Sequence, residues 1–354
     1  MRKTFIYLGI SLFASNLLIN CSDNEVSVID DNSALYKEVL TNEANVITST
    51  YVDLAQKAQA LKTAVDALEI GDDAALQNAK DAWVAARKPW EQSEAFLFGP
   101  VEIEGIDPAI DSWPVNVSAI NTILNSGSSI TQDVIETNNE TRGFHTLEYY
   151  LWGNDGTKTA SQLTAREIEY LKAVASDLSA KTDYLSNSWS PSGGNYSNTL
   201  ISANNTTYPS QKSAIQELVE GMISIADEVA SNKIAVPFGN GGTPDPEQEE
   251  SRFSKNSLLD FADNIRSIQN IYFGTYGTVQ GKGLTDIIAP LNSSLDATVK
   301  TKIAAAISAI EAVPISFTDA IYNNKDAVEN AEDAVLDLQD TLEKQLIPFI
   351  SNNL

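Results

Sequence analysis

The sequence predicts an all-α protein of two helical-bundle domains. Along its long segments, apolar residues return every third or fourth position, the stripe of an amphipathic helix. No run alternates apolar and polar residues between turn signals, as a half-buried strand would. Connections of uneven length, rich in Gly, Pro, Ser and Asn, separate the helical segments as in antiparallel bundles. At 354 residues, 43% hydrophobic and 20% charged, the chain is too apolar for disorder and long enough for two cores.

The elements follow in order. Arg2 and Lys3 precede an apolar run, FIYLGISLFASNLLI, that is too short to span a bilayer and suits the core of a signal peptide. It ends in Leu18-Ile19-Asn20-Cys21, which resembles a bacterial lipoprotein box, with Asn20 where a small residue is usual. Residues 1–20 are therefore expected to be a signal peptide, Cys21 the lipidated residue, and 21–32 an acidic tether.

From Ser33 to Ile70, Leu35, Val39, Val46, Ile47, Leu54, Leu61, Val65 and Leu68 predict a helix with a break. Gly71-Asp72-Asp73 ends it and offers an N-cap to a second helix, 74–98, in which Pro89 is expected to kink the backbone. Residues 100–116 hold three Pro and a Gly and predict an irregular loop. Helices are then expected over 117–124, 130–152 and 160–187. The polar stretch 188–210 marks a domain boundary, dividing the chain into 33–195 and 209–354. Beyond it, 211–232, 254–273, 285–311 and 324–351 read as helices, with a polar loop at 237–248 and Ser254 as a cap. Two helices ending in Phe-Gly, at Phe98-Gly99 and Phe273-Gly274, lie about half the chain apart, an echo of an ancient duplication.

The formal charge is −25. Such a surface repels phosphate backbones and argues against nucleic acid as a partner, while it attracts metal cations. One His and one Cys exclude a zinc site built from several such side chains within one chain. H-E-x-x-H and H-x-x-E-H both need a second His, and neither G-x-S-x-G, a P-loop nor a dinucleotide fingerprint occurs.

The lone His145 precedes Glu148 by three residues in GFHTLEYYLWG, so on a helix the two share one face. An imidazole nitrogen and a carboxylate oxygen there can share a metal ion, iron or zinc rather than calcium, or a proton. The plainer reading is a His–Glu hydrogen bond at the core edge. In the stretch WVAARKPWEQSEAF, Trp83, Arg87, Trp90 and Glu94 recur at helical spacing, giving one face two aromatics and an ion pair. Trp at that spacing is more often core than site.

These stretches together resemble the imelysin family. The G-x-H-x-x-E motif falls on Gly143, His145 and Glu148, and AWVAARKPWEQSEAFLFGP (82–100), DSWPVN (111–116) and ESRFSKNSLLDFADNIRSIQNIYFG (250–274) supply further blocks. The resemblance implies two bundle domains with the motif near the groove between them. It implies a role in the bacterial cell envelope, often in iron acquisition, and for some relatives a metallopeptidase activity. Carried over, His145 and Glu148 become metal ligands, and Arg87, Glu94, Asp111, Trp113, Gly143, Ser251, Arg252 and Ser254 become groove-lining residues. Glu94 or Asp111 would add an oxygen ligand, and Arg87 or Arg252 would neutralise an anionic chelate. The expected protein is an envelope lipoprotein that binds a metal ion or iron compound. The alternatives are a metallopeptidase and a membrane-anchored scaffold without metal.

Overall fold

The computed structural model describes residues 32–354. The expected signal peptide, Cys21 and nearly all of the expected tether lie outside the described residues.

The fold is all-α, as expected. Ser33–Asp66 is one unbroken helix, because Tyr36, Leu40, Ile47, Tyr51, Leu54, Leu61 and Val65 form a continuous buried stripe that no Gly or Pro interrupts. It packs against Asp73–Glu91 and Ala165–Trp189. Asp72 caps the second helix by accepting from the Ala75 N–H at 3.0 Å, and Thr164 with Glu167 forms a capping box on the third. The long C-terminal helices, Gln211–Asp227, Ser257–Phe273, Ser293–Glu311 and Lys325–Thr341, pack on one another. Ser257–Phe273 also touches Asp73–Glu91. The buried apolar residues form one connected core running through both groups.

Several expected boundaries move, each for a local reason. The second helix ends at Glu91, two residues after Pro89, not at Phe98; a short 3-10 turn follows at Glu94–Phe96. The two Phe-Gly pairs therefore play different parts: Gly274 caps the end of a helix, whereas Gly99 precedes the start of one, Pro100–Ile103. The 100–116 loop contains that helix and another, Ile106–Ile110. The 130–152 helix is three pieces, Gln132–Ile135, Asn139–Thr141 and Gly143–Trp152, since Arg142 is extended and Gly143 has φ +83°. Leu284–Leu291 and Ser293–Glu311 split just after Pro290, with Asn292 capping the second. Among the described residues the only strands are a two-residue hairpin pairing Thr275 with Gln280 and Tyr276 with Val279. No described helix is long and apolar enough to cross a membrane.

Candidate metal centre

The centre is assembled from four stretches of chain. The first is the end of Asp73–Glu91, which carries Arg87 and Glu91, with Glu94 just beyond. Arg87 is fully buried. Its guanidinium lies over the Phe144 and Trp83 rings, 5.1 and 5.7 Å from their centroids. It pairs with Glu91 and Asp111, with Glu250 at 2.8 Å and with Asp260 at 3.2 Å. The expected Arg87–Glu94 pair does not form, because the helix ends first; the helical partner is Glu91, one turn on.

The second stretch is the segment after Ile106–Ile110. Asp111 receives the Trp90 indole N–H on Oδ2 at 2.6 Å and turns Oδ1 to Arg87 and His145. Trp113 meets the His145 ring edge-on, with centroids 5.2 Å apart.

The third is Gly143–Trp152. Trp83 donates to the Phe144 carbonyl at 2.9 Å, tying this helix to Asp73–Glu91. At Gly143 a Cβ would collide with the Ile110 backbone, so the close approach that brings Asp111 to His145 requires glycine. His145 and Glu148 are fully buried, and Nδ1 lies 3.2 Å from Glu148 Oε2. The other Glu148 oxygen, Oε1, accepts from the Ser254 N–H at 2.8 Å and hydroxyl at 2.7 Å.

The fourth is the 249–260 segment. Ser251 and Lys255 both have positive φ, 56° and 61°, a conformation L-residues adopt at a cost and one that clusters at functional sites. This turn brings Glu250 to Arg87 and His145, and Ser254 to Glu148. Ser251 donates to Asp260 at 2.5 Å. Ser254 is thus not a helix cap; Asn256 precedes Ser257–Phe273, and Ser254 instead anchors the motif glutamate.

Arg252 stands apart from this cluster. It pairs with Glu247 and lines a cleft of about 150 Å³ with Trp113, Tyr149 and Phe253. The Trp113 ring lies between that cleft and His145.

His145 Nε2 is the unusual atom. It is buried, 3.1 Å from Asp111 Oδ1 and 3.4 Å from Glu250 Oε1, yet neither oxygen is in line for a hydrogen bond. An ion about 2.1 Å from each ligand atom sets neighbouring ligands roughly 3.0–3.4 Å apart, which these separations match. The Nδ1 contact to Glu148 is the carboxylate–histidine arrangement that presents Nε2 as a ligand. Asp111, His145 and Glu250 therefore fit a metal ion, and Glu148 stands behind them, on the far nitrogen. Two further groups with ligand atoms mutually within 4.8 Å adjoin them: Glu91, Glu94 and Asp111, and Glu91, Glu250 and Asp260.

Electrostatics point the same way. Glu91, Glu94, Asp111, Glu250 and Asp260 surround two permanent cations, Arg87 and Lys233. Burial pushes Glu91 and Glu94 well above the usual carboxylate range and Asp260 to about 6, against the pull of the cations. Burial opposes charge at Asp111 and Glu250 too, but there the cations win. Arg87 and His145 hold Asp111 far below its ordinary value, and Lys233 and His145 hold Glu250 at about 2. Burial also disfavours the imidazolium, yet the Asp111 carboxylate beside it raises His145 well above its ordinary value. Protons held on Glu91, Glu94 and His145 thus help to balance the cluster, and a bound cation would take over that part.

Glu91, Lys233, Glu250 and Asp260 were not among the residues singled out from sequence. Glu91 could have been found at i+4 from Arg87, and Glu250 and Asp260 lie in the fourth block. Nothing in the sequence marks Lys233.

The imelysin family model matches residues 47–346, most of the chain and every candidate residue except Cys21. The chain belongs to the imelysin family. Iron-regulated protein A of Synechococcus elongatus is 29% identical to this imelysin-family chain, over 99% of this chain and 94% of that protein. A crystal structure named as an iron-regulated protein A precursor, from Parabacteroides distasonis, superposes with a TM-score of 0.79 at 30% identity. It covers 90% of this chain and 95% of its own. An imelysin-like protein from Psychrobacter arcticum shares the fold, with a TM-score of 0.71 at 18% identity, over 90% of this chain and 96% of that one.

Proposed function

We propose that this imelysin-family chain is an iron-handling protein of the bacterial cell envelope that holds a metal ion through His145 Nε2, Asp111 and Glu250. The observation that carries the reading is the buried Nε2 without a hydrogen-bond partner, between two carboxylates, on a ring whose other nitrogen is engaged by Glu148. Arg87 offsets part of the negative charge, and Glu148, held by Ser254, fixes the ring. Mixed imidazole and carboxylate donors suit iron or zinc. The names of two relatives favour iron. The leader and Cys21 support export and lipid anchoring.

A free ion is favoured over a bulky iron chelate. The cleft beside Trp113, about 150 Å³, falls short of the roughly 300–1,000 Å³ of small-molecule pockets. Arg87 already has its charge matched by carboxylates and Arg252 points its charge at Glu247, so neither is free to grip an anion.

Calorimetric titration of the stripped, untagged chain with Fe(II), Fe(III) and Zn(II), alongside His145→Ala, tests the proposal. Stoichiometric binding lost in the variant is expected. A folded chain that takes up no ion, or a variant that binds as well as the native protein, would sink it. Chelator-sensitive cleavage of an unfolded protein, abolished by His145→Ala, would instead favour a metallopeptidase. Absence of both binding and cleavage would leave a scaffold.

A further inference from the structure

The proposed centre is closed. His145 is fully buried, and the Asp111 and Glu250 side chains are only 5% and 12% exposed. An ion that enters or leaves therefore needs a way between the surrounding side chains, and two clefts that share no residue reach the cluster. One, of about 260 Å³, is lined by Glu94, Glu102, Glu217, Glu220 and Glu228. It attracts cations, but Lys233 stands behind it, 3.4 Å from Glu94 and 3.2 Å from Glu250 Oε2. A positive charge between that cleft and a ligand opposes a divalent cation on this route.

The other is the cleft of about 150 Å³ beside Trp113. Its two charged residues, Arg252 and Glu247, are paired, so no unmatched charge guards it. It adjoins a larger cleft, of about 500 Å³, along Val117, Tyr149 and Asn154. The Trp113 indole stands between this passage and the His145 ring. Three features make that indole a door and not a wall. It is half-buried, whereas Trp83 and Trp90 are fully buried. Its one hydrogen bond, from Nε1–H to the Gln248 carbonyl, is 3.3 Å long, beyond the usual length of about 2.9–3.0 Å. The cleft on its outer face gives it room to turn. The bond also joins the segments that carry two ligands, since Trp113 follows Asp111 by two residues and Gln248 precedes Glu250 by two. Breaking it frees both carboxylates to shift.

We propose that Trp113 is the gate of the metal centre. Its indole closes the centre in the resting chain and turns into the cleft to let a divalent cation pass to His145 Nε2. An aromatic face at the threshold suits a cation, which the ring quadrupole attracts. The inference rests on the reading of His145, Asp111 and Glu250 as ligands. A gate slows uptake and release by the same factor, the open fraction of the chain, and so leaves the affinity unchanged.

The test follows Zn(II) exchange by stopped flow on the stripped, untagged chain, with a chromophoric chelator reading free Zn(II), and takes Kd from calorimetry. With the open state at about 0.1–10% of molecules, Trp113→Ala should speed uptake and release together, about 10-fold or more, and keep Kd within about threefold of native. Val117→Phe, which puts a ring into the cleft, should slow both. If Trp113→Ala folds poorly, Trp113→Phe keeps a ring without the bond to Gln248 and should speed both rates by a smaller, equal factor. Native rates in the Trp113 variant, with binding intact, overturn the gate and leave the His145 reading standing. Faster release with native uptake overturns it too, because Trp113 would then hold the ligands and not the passage. A Val117→Phe chain that exchanges at the native rate overturns the turn into the cleft. A native chain that takes up no ion removes the His145 reading and the gate with it.

Discussion

Glu148 works at both ends of its carboxylate, taking two donors from Ser254 on one oxygen and facing His145 Nδ1 with the other. Glu148→Gln keeps the size but places an amide where donors already point. Affinity for Fe(II) or Zn(II) at the His145 position should fall about 10- to 100-fold by calorimetry, with the fold intact; an unchanged affinity would mean Glu148 does not orient the ring. Glu43 offers a second single-residue test, away from the centre. It is fully buried with both oxygens unpartnered, and burial raises it well above 4.5. In the folded state it therefore keeps its proton when the unfolded chain has lost it. Its contribution turns unfavourable as pH rises above about 4.5, by up to about 1.4 kcal/mol per pH unit until the raised pKa is reached. Glu43→Met should stabilise the protein at pH 7 clearly more than at pH 4 in urea denaturation. An equal gain at both values would show that the acid ionises freely in the fold.

The helix Gly143–Trp152 depends on its first residue. Gly143 combines a positive φ with a contact to the Ile110 backbone that leaves no room for a Cβ. Gly143→Ala should cost about 2–4 kcal/mol in denaturant unfolding, from backbone strain and overpacking together. It should also weaken ion binding, since His145 and Asp111 are registered by that contact. A loss below about 0.5 kcal/mol would contradict the packing described. What the sequence makes legible at this scale is whatever spacing along one helix decides: the Ser33–Asp66 stripe, the Asp72 cap, and the His145–Glu148 pair on one face. Helix ends are less legible, because the helices run one or two residues past Pro290 and Pro89 before they stop, so a proline marks the region of an end and not its residue. Ser254 has the composition of a cap, and only the turn through Ser251 and Lys255 shows it bonded to Glu148. Of the carboxylates opposite His145, Asp111 is reached only through the family resemblance and Glu250 is not singled out, because both meet the ring only through tertiary packing.

At the scale of the molecule, the centre joins distant parts of the chain, from Arg87 in Asp73–Glu91 to Asp260 in Ser257–Phe273. An ion bound to Asp111, His145 and Glu250 recognises only the folded arrangement, so binding and global stability are linked. At a free concentration 100 times its Kd, an ion should add about 2.7 kcal/mol to unfolding. The thermal midpoint should rise with Zn(II) concentration in the native chain and stay level in His145→Ala; parallel rises in both would place the stabilising ion elsewhere. The same architecture carries a practical corollary. The whole sequence contains one histidine, and it stands sealed at the meeting point of these segments. Its ring therefore gives one set of imidazole resonances, from two carbon-bound protons and two nitrogens, that no other histidine of the chain can overlap. That one set of lines would report protonation, tautomer and occupancy from the interior of the purified native protein.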